Sequence, residues 1–170
     1  MSTHHDENPL LEGLDLGRRP ESCALVIFGA SGDLTQRKLM PALYSLAIRG
    51  LLPEHFVVIG AARTPGTDDE FRAKMREAIE KYARDPFRED VWERLASGMR
   101  YAALDFSDET SENSLVRILS TVDAEYGTQG NRVFYFAVPP NAIGTLVTEL
   151  AARRTAEGWV RLIIEKPFGN

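Results

Sequence analysis

Between Phe28 and Leu34 only Gly29-Ala30-Ser31-Gly32-Asp33 separates a continuous apolar run from an amphipathic stretch. The local sequence is CALVIFGASGDLTQRKLMPALY, Cys23 to Tyr44. A short unbroken apolar run, here Cys23–Gly29, is the pattern of a strand covered on both faces. A strand that breaks at small residues and becomes a helix with almost no loop is the opening of a strand–helix–strand unit.

The rest of the chain repeats that alternation. LTQRKLMPALYSLAIRG places Leu34, Leu39, Leu43, Leu46 and Ala47 near helical spacing, and Gly50 closes the helix as a C-terminal cap. Pro41 is expected to kink this helix or to fall within its first turns. HFVVIGAAR, His55 to Arg63, reads as the second strand. Thr67 and Glu70 form a capping-box pair ahead of DDEFRAKMREAIEKYAR, a helix that Asp85-Pro86 stops. A short helix is expected around Val91–Ala96, and Met99–Phe106 reads as the third strand. SENSLVRILSTVDAEYG is a helix closed by Gly127. Asn131–Val138 is the fourth strand, ended by Pro139-Pro140. NAIGTLVTELAARR is the last helix and Val160–Glu165 the fifth strand. Such an order implies right-handed crossovers and an α/β, doubly wound, mostly parallel sheet of the Rossmann type. The expected boundaries are a leader at residues 1–21 and one domain at residues 22–170.

In an open parallel sheet, ligands bind beyond the carboxyl ends of the strands, where strand order reverses. The first helix begins there. Its leading N–H groups are unpaired and its dipole is positive at that end, which suits a phosphate. Gly29 permits the tight turn, Ala30 and Ser31 keep the approach low, and Gly32 lets a pyrophosphate reach the backbone. The Ser31 hydroxyl can donate to a phosphate oxygen, while Asp33 is expected to turn away and cap the first turn. The pattern is Gly-x-x-Gly rather than the commoner Gly-x-Gly-x-x-Gly.

The second strand selects between coenzymes. An acid at its end would accept from a ribose 2′-hydroxyl, but IGAART offers Arg63. A guanidinium forks onto a 2′-phosphate that a carboxylate would repel. This points to NADP rather than NAD, with Thr64 able to add a hydroxyl.

Charge and composition remove other classes. Across 170 residues the net charge is −5, which argues against unspecific binding to nucleic acid or to an anionic membrane surface. No apolar stretch approaches the roughly 20 residues that a membrane helix needs. The lone Cys23 can form no internal disulfide, in keeping with a cytoplasmic location. His4 and His5 read as solvated, so no metal site is expected. Trp92 and Trp159 read as packing residues.

VIFGASGDLTQRKLMPALYSL, VIGAART, NRVFYFAVPP and RLIIEKPFG occur in this order. Together they resemble the N-terminal coenzyme domain of the glucose-6-phosphate dehydrogenases, over roughly residues 22–170. The resemblance implies NADP-dependent oxidation of glucose 6-phosphate at C1 to a lactone, the first step of the pentose phosphate pathway. It implies that Gly29, Ala30, Ser31, Gly32, Asp33 and Leu34 hold the pyrophosphate and Arg63 the 2′-phosphate. Asp105 and Phe106 would lie by the adenine, and Ala137, Val138 and Pro139 would line the ribose and nicotinamide side. Lys166 would reach both the nicotinamide and the sugar, set in place by Pro167. Glu165 either steadies that end or merely closes the strand. The family's general-base histidine is expected downstream of EKPFG, in a larger β+α domain beyond Asn170 that also carries the homo-oligomer interface. His4, His5 and His55 do not match its motif, so no base is assigned and the chain alone is expected not to oxidise the sugar.

Two other readings stand beside this one. A non-catalytic NADP-binding module needs no base. A short-chain reductase needs Tyr-x-x-x-Lys, and none of Tyr44, Tyr82, Tyr101, Tyr126 or Tyr135 has lysine four residues on. The phosphate loop Gly-x-x-x-x-Gly-Lys-Ser/Thr is absent.

Overall fold

A computed structural model of the chain describes residues 20–108, 110, 114–154 and 157–165. Five strands form one parallel sheet: β1 (Cys23–Phe28), β2 (Phe56–Ala62), β3 (Arg100–Ala103), β4 (Arg132–Phe136) and β5 (Val160–Ile164). Their spatial order is β3-β2-β1-β4-β5, and every neighbouring pair is parallel. The expected doubly wound α/β fold is therefore present. Order reverses between β1 and β4, which puts the crevice of such a sheet at the carboxyl ends of these two strands.

β1 is buried along its whole length, as its unbroken apolar run requires. Leu25 and Ile27 face one layer, where they meet Met40, Leu43, Tyr44, Phe71, Met75, Ile79 and Trp92. Those side chains come from α1 (Met40–Ile48), α2 (Asp68–Tyr82) and α3 (Glu89–Ala96). Ala24, Val26 and Phe28 face the other layer with Leu115, Ile118, Val122 and Leu146. That layer is α4 (Leu115–Tyr126) and α5 (Pro140–Ala152). Trp92 is a packing residue, as expected. At the far edge β5 is exposed along its length, with Leu162 and Ile164 about half uncovered.

The capping chemistry matches the sequence closely. The Thr67 hydroxyl accepts from Glu70 N–H at the start of α2, and Ser114 does the same for Arg117 at the start of α4. Gly50, at φ +68°, ends α1: its N–H donates to Ala47 O and that of Leu51 to Leu46 O. This paired closure needs a left-handed residue at position 50, the conformation glycine adopts without strain.

The stretch before α1 departs from expectation. Thr35–Leu39 is a π-helical turn, in which Met40 N–H reaches back to Thr35 O. It delivers Pro41 to the first turn of α1, where a missing N–H costs least. The wider turn also rotates α1 about its axis. Met40, Leu43 and Tyr44 are buried, while Leu46, expected on the buried face, is exposed. Tyr44 then ties the layer together, since its hydroxyl donates to Pro86 O and accepts from Arg88 N–H, at 3.0 and 2.6 Å.

Strand ends fall inside their sequence limits. β3 stops at Ala103, not Phe106, because its one partner among the described strands is β2, whose pairing with it ends at Ala62. β4 stops at Phe136. Of the expected leader, Glu21 borders the domain by accepting from Trp159 Nε1; Ser22, the first residue of the expected domain, accepts at its carbonyl from Asn131 Nδ2. Residues 1–19, with His4 and His5, lie outside the described residues.

Candidate functional site

Three strand ends meet around Gly29. Its N–H donates to Ala61 O at 3.0 Å, and that of Ala30 to the same oxygen at 3.4 Å. Ala137 N–H donates to Phe28 O at 2.9 Å, and Leu104 N–H to Ala62 O at 2.9 Å. The Gly29 turn, the Arg63 strand end, the start of the Asp105 loop and the Ala137–Pro139 segment therefore share the carboxyl edge of the sheet.

The two glycines of the turn do different work. Gly29 has φ +85°, and a β-carbon there would overlap Ala137 O and stand 2.9 Å from the Ala137 carbonyl carbon. It is required by the fold. Gly32 lies outside the left-handed region, and its added β-carbon would meet only Gly29 O, at 3.1 Å. It keeps a space open.

The N–H of Gly32 is used internally, by Gly29 O at 2.9 Å. The N–H groups of Ser31, Asp33 and Leu34 have no hydrogen-bond partner among the described residues. They are the free donors of the turn, beside the exposed Ser31 hydroxyl. Asp33 departs from its expected role. Its carboxylate accepts from Arg37 Nε at 2.8 Å, one helical turn on, instead of capping the helix start. Thr35, which the sequence reading passed over, is fully buried and donates its hydroxyl to Gly29 O at 3.2 Å. A hydroxyl one turn into a helix, facing a glycine turn, was the available signal.

Arg63 comes directly after β2, is exposed, and has no hydrogen bond or ion pair among the described residues. Asp105 is exposed in the loop after β3. Its carboxylate accepts from Ser107 N–H and hydroxyl, and these bonds hold its carboxyl below the usual range. Phe106 turns toward the other layer, where Arg153 donates to its carbonyl at 2.8 Å and lies over its ring at 5.2 Å. Pro139 is exposed and leads directly into α5.

Lys166 and Pro167 lie outside the described residues. Glu165, just before them, accepts from the hydroxyl of Tyr135, a buried residue of β4 on the same sheet face. Burial first, and then the Glu165 carboxylate, push the Tyr135 phenol well above its usual range, so it remains a donor. His55 immediately precedes β2, at the amino edge and so opposite this site.

Free amides at a helix start, open space at Gly32 and an unpaired guanidinium two residues beyond Ala61 are features that suit a phosphate-bearing ligand. Comparisons with known proteins identify the family. The family model described as "Glucose-6-phosphate dehydrogenase, NAD binding domain" matches residues 26–170. Glucose-6-phosphate 1-dehydrogenase 2 of Mycobacterium tuberculosis is 41% identical over 169 residues, which is 96% of this chain and 33% of that protein. Glucose-6-phosphate 1-dehydrogenase of Chlamydia muridarum is 43% identical over 155 residues, 86% of this chain and 31% of that one. Among solved structures, the Mycobacterium avium enzyme aligns at TM-score 0.67 and 31% identity, over 87% of this chain and 30% of its own. A glucose-6-phosphate dehydrogenase in complex with its substrate glucose-6-phosphate aligns at TM-score 0.73 and 29% identity, over 89% and 32%. The chain thus spans about a third of the length of the curated relatives it matches. With its sheet, its glycine turn and its sequence all pointing the same way, the chain belongs to the glucose-6-phosphate dehydrogenase family, where it matches the nucleotide-binding domain.

Proposed function

We propose that this chain is the coenzyme-binding part of an NADP-dependent dehydrogenase acting on the C1 hydroxyl of glucose 6-phosphate. The observation that carries the reading is the joining of the free Ser31, Asp33 and Leu34 amides and the unpaired Arg63 on one sheet edge. When bound, NADP supplies the nicotinamide carbon that accepts the hydride leaving C1 of the sugar, which becomes a lactone.

The chain's own residues bind and orient. The amides of the turn and the Ser31 hydroxyl hold the pyrophosphate, with Gly32 leaving the approach clear. Arg63 forks onto the 2′-phosphate. Ala137, Val138 and Pro139 border the nicotinamide half, and Asp105 and Phe106 the adenine half. Lys166 hydrogen-bonds the sugar and orients its C1 hydroxyl, a positioning role. His55, at the opposite edge, is remote from the described residues of this set, so the base that takes the hydroxyl proton is no described histidine. A cytoplasmic location and a homo-oligomeric whole enzyme belong to the same reading. Among the described residues no helix is long and apolar enough to cross a membrane.

Replacing Arg63 tests the coenzyme assignment. Arg63→Ala is expected to weaken NADP by about tenfold or more, the worth of a charge-assisted bond. NAD affinity should stay within about twofold. Calorimetric titration with both coenzymes measures this, and equal losses would refute the assignment.

A further inference from the structure

Arg63 opens the loop of residues 63–67 that joins β2 to α2. An exposed arginine on a free loop would have to be ordered anew for each ligand, which costs affinity. The loop is not free. Tyr101, a buried residue of β3, donates its hydroxyl to the carbonyl of Thr64, the residue after Arg63. Its ring also lies along Gly66, where an added β-carbon would stand 3.2 Å from Tyr101 Cε1. Its N–H donates to Asp68 Oδ1 at 2.7 Å, which fixes the first residue of α2.

The tyrosine is itself held. Its ring packs against Phe71 of α2, with centroids 5.9 Å apart at 44°. Gly60 leaves room for Phe71, since a β-carbon there would stand 2.5 Å from that ring. Burial, and then the Glu70 carboxylate, raise the phenol above its usual range, so it remains a hydrogen-bond donor at neutral pH. One residue thus holds the loop at Thr64 and Gly66 through its side chain, and Asp68, where α2 begins, through its backbone N–H.

We propose that Tyr101 is the positioning residue for coenzyme choice: by fixing the Thr64 carbonyl it presets Arg63 for a phosphate on the ribose. This rests on the reading of Arg63 as the 2′-phosphate ligand. Tyr101 touches no coenzyme and acts only through the loop.

The test is a double-mutant cycle on the whole chain, titrated with NADP and with NAD. Tyr101→Phe keeps the ring and removes only the hydroxyl. NADP should weaken by about three- to tenfold, the range for one lost hydrogen bond, with NAD within about twofold. Because Tyr101 works through Arg63, the Arg63→Ala/Tyr101→Phe double variant should bind NADP no more weakly than Arg63→Ala alone. A purely structural tyrosine would weaken both coenzymes alike and add its loss to that of Arg63→Ala, and that result overturns the proposal. If Arg63→Ala itself fails to discriminate, the assignment of Arg63 falls and this proposal with it. If Arg63→Ala is selective and Tyr101→Phe is not, only the proposal falls. Should Tyr101→Phe not fold, Gly66→Ala pushes the same loop off the Tyr101 ring, its methyl standing 3.2 Å from Cε1. It must then show the same NADP-selective loss, and unchanged selectivity overturns the proposal.

Discussion

Gly29→Ala is expected to destabilise the fold by about 2–4 kcal/mol, the sum of a left-handed conformation and an overpacked contact. For a chain of this size that corresponds to a fall in Tm of roughly 6–12 °C. The obstacle is main chain. The new methyl would overlap the Ala137 carbonyl, which is itself fixed by Ala137 N–H to Phe28 O at 2.9 Å. Neither side can yield by rotating a side chain. Gly32→Ala supplies the contrast. Its methyl meets only Gly29 O, at 3.1 Å, and needs no unusual φ. Stability should change by less than about 1 kcal/mol, while coenzyme affinity falls about tenfold because the methyl stands before the free amides. Thermal melting and coenzyme titration of both variants separate the two roles. A Gly29→Ala chain that melts like the parent would show the turn is not locked. Undiminished coenzyme binding by Gly32→Ala would remove the phosphate from this turn.

Asp123→Ala should cost about 3–5 kcal/mol, the usual penalty for leaving a buried charge without its partner. Arg132 is 5% exposed and donates two nitrogens to the Asp123 carboxylate, one of them at 2.8 Å. The same carboxylate accepts from Thr128 Oγ1 at 2.6 Å and Gly130 N–H at 2.9 Å. One residue of α4 thereby holds the turn into β4 and the first residue of that strand. Burial alone would raise the Asp123 carboxyl. The bonds from Arg132, Thr128 and Gly130 outweigh burial and hold it below the usual range. An acid depressed in the folded state stabilises the fold above its unfolded pKa of about 3.9, and that contribution disappears as pH falls through the folded value. The stability gap between the parent and Asp123→Asn should therefore be full near neutrality and narrow below about pH 4. Denaturant titrations across that range measure it, and a gap that stays constant into acid would rule out the charged pair as its source.

Much of this architecture is legible in the residues. The five strands and their connecting helices come from unbroken or periodic apolar runs, and the start of α2 from Thr67 and Glu70. These features are local, so local sequence carries them. The features that were not legible depend on partners far along the chain. β3 ends at Ala103 because its pairing with β2 ends at Ala62, although YAALDF continues the strand pattern. The π-helical turn at Thr35–Leu39 leaves no mark in the spacing of leucines, and with it went the placement of Leu46. Tyr101 and Tyr135 read as ordinary strand aromatics. Only the folded sheet brings their hydroxyls to Thr64 and Glu165, at the edge where the candidate site residues gather. The turn itself is evident from its small residues. The division of labour between Gly29 and Gly32 needs Ala137, more than a hundred positions later.

That contact has a consequence for how such a crevice can change. The carbonyl of Ala137 occupies the place where any larger residue at position 29 would put its β-carbon. The throat of the crevice is therefore keyed, one backbone fitted into another, and cannot be widened by substituting either side alone. On the proposed reading, adaptation to a differently decorated nucleotide falls to the rim, where Arg63 and Thr64 stand in solvent and side chains can be exchanged without disturbing the joint.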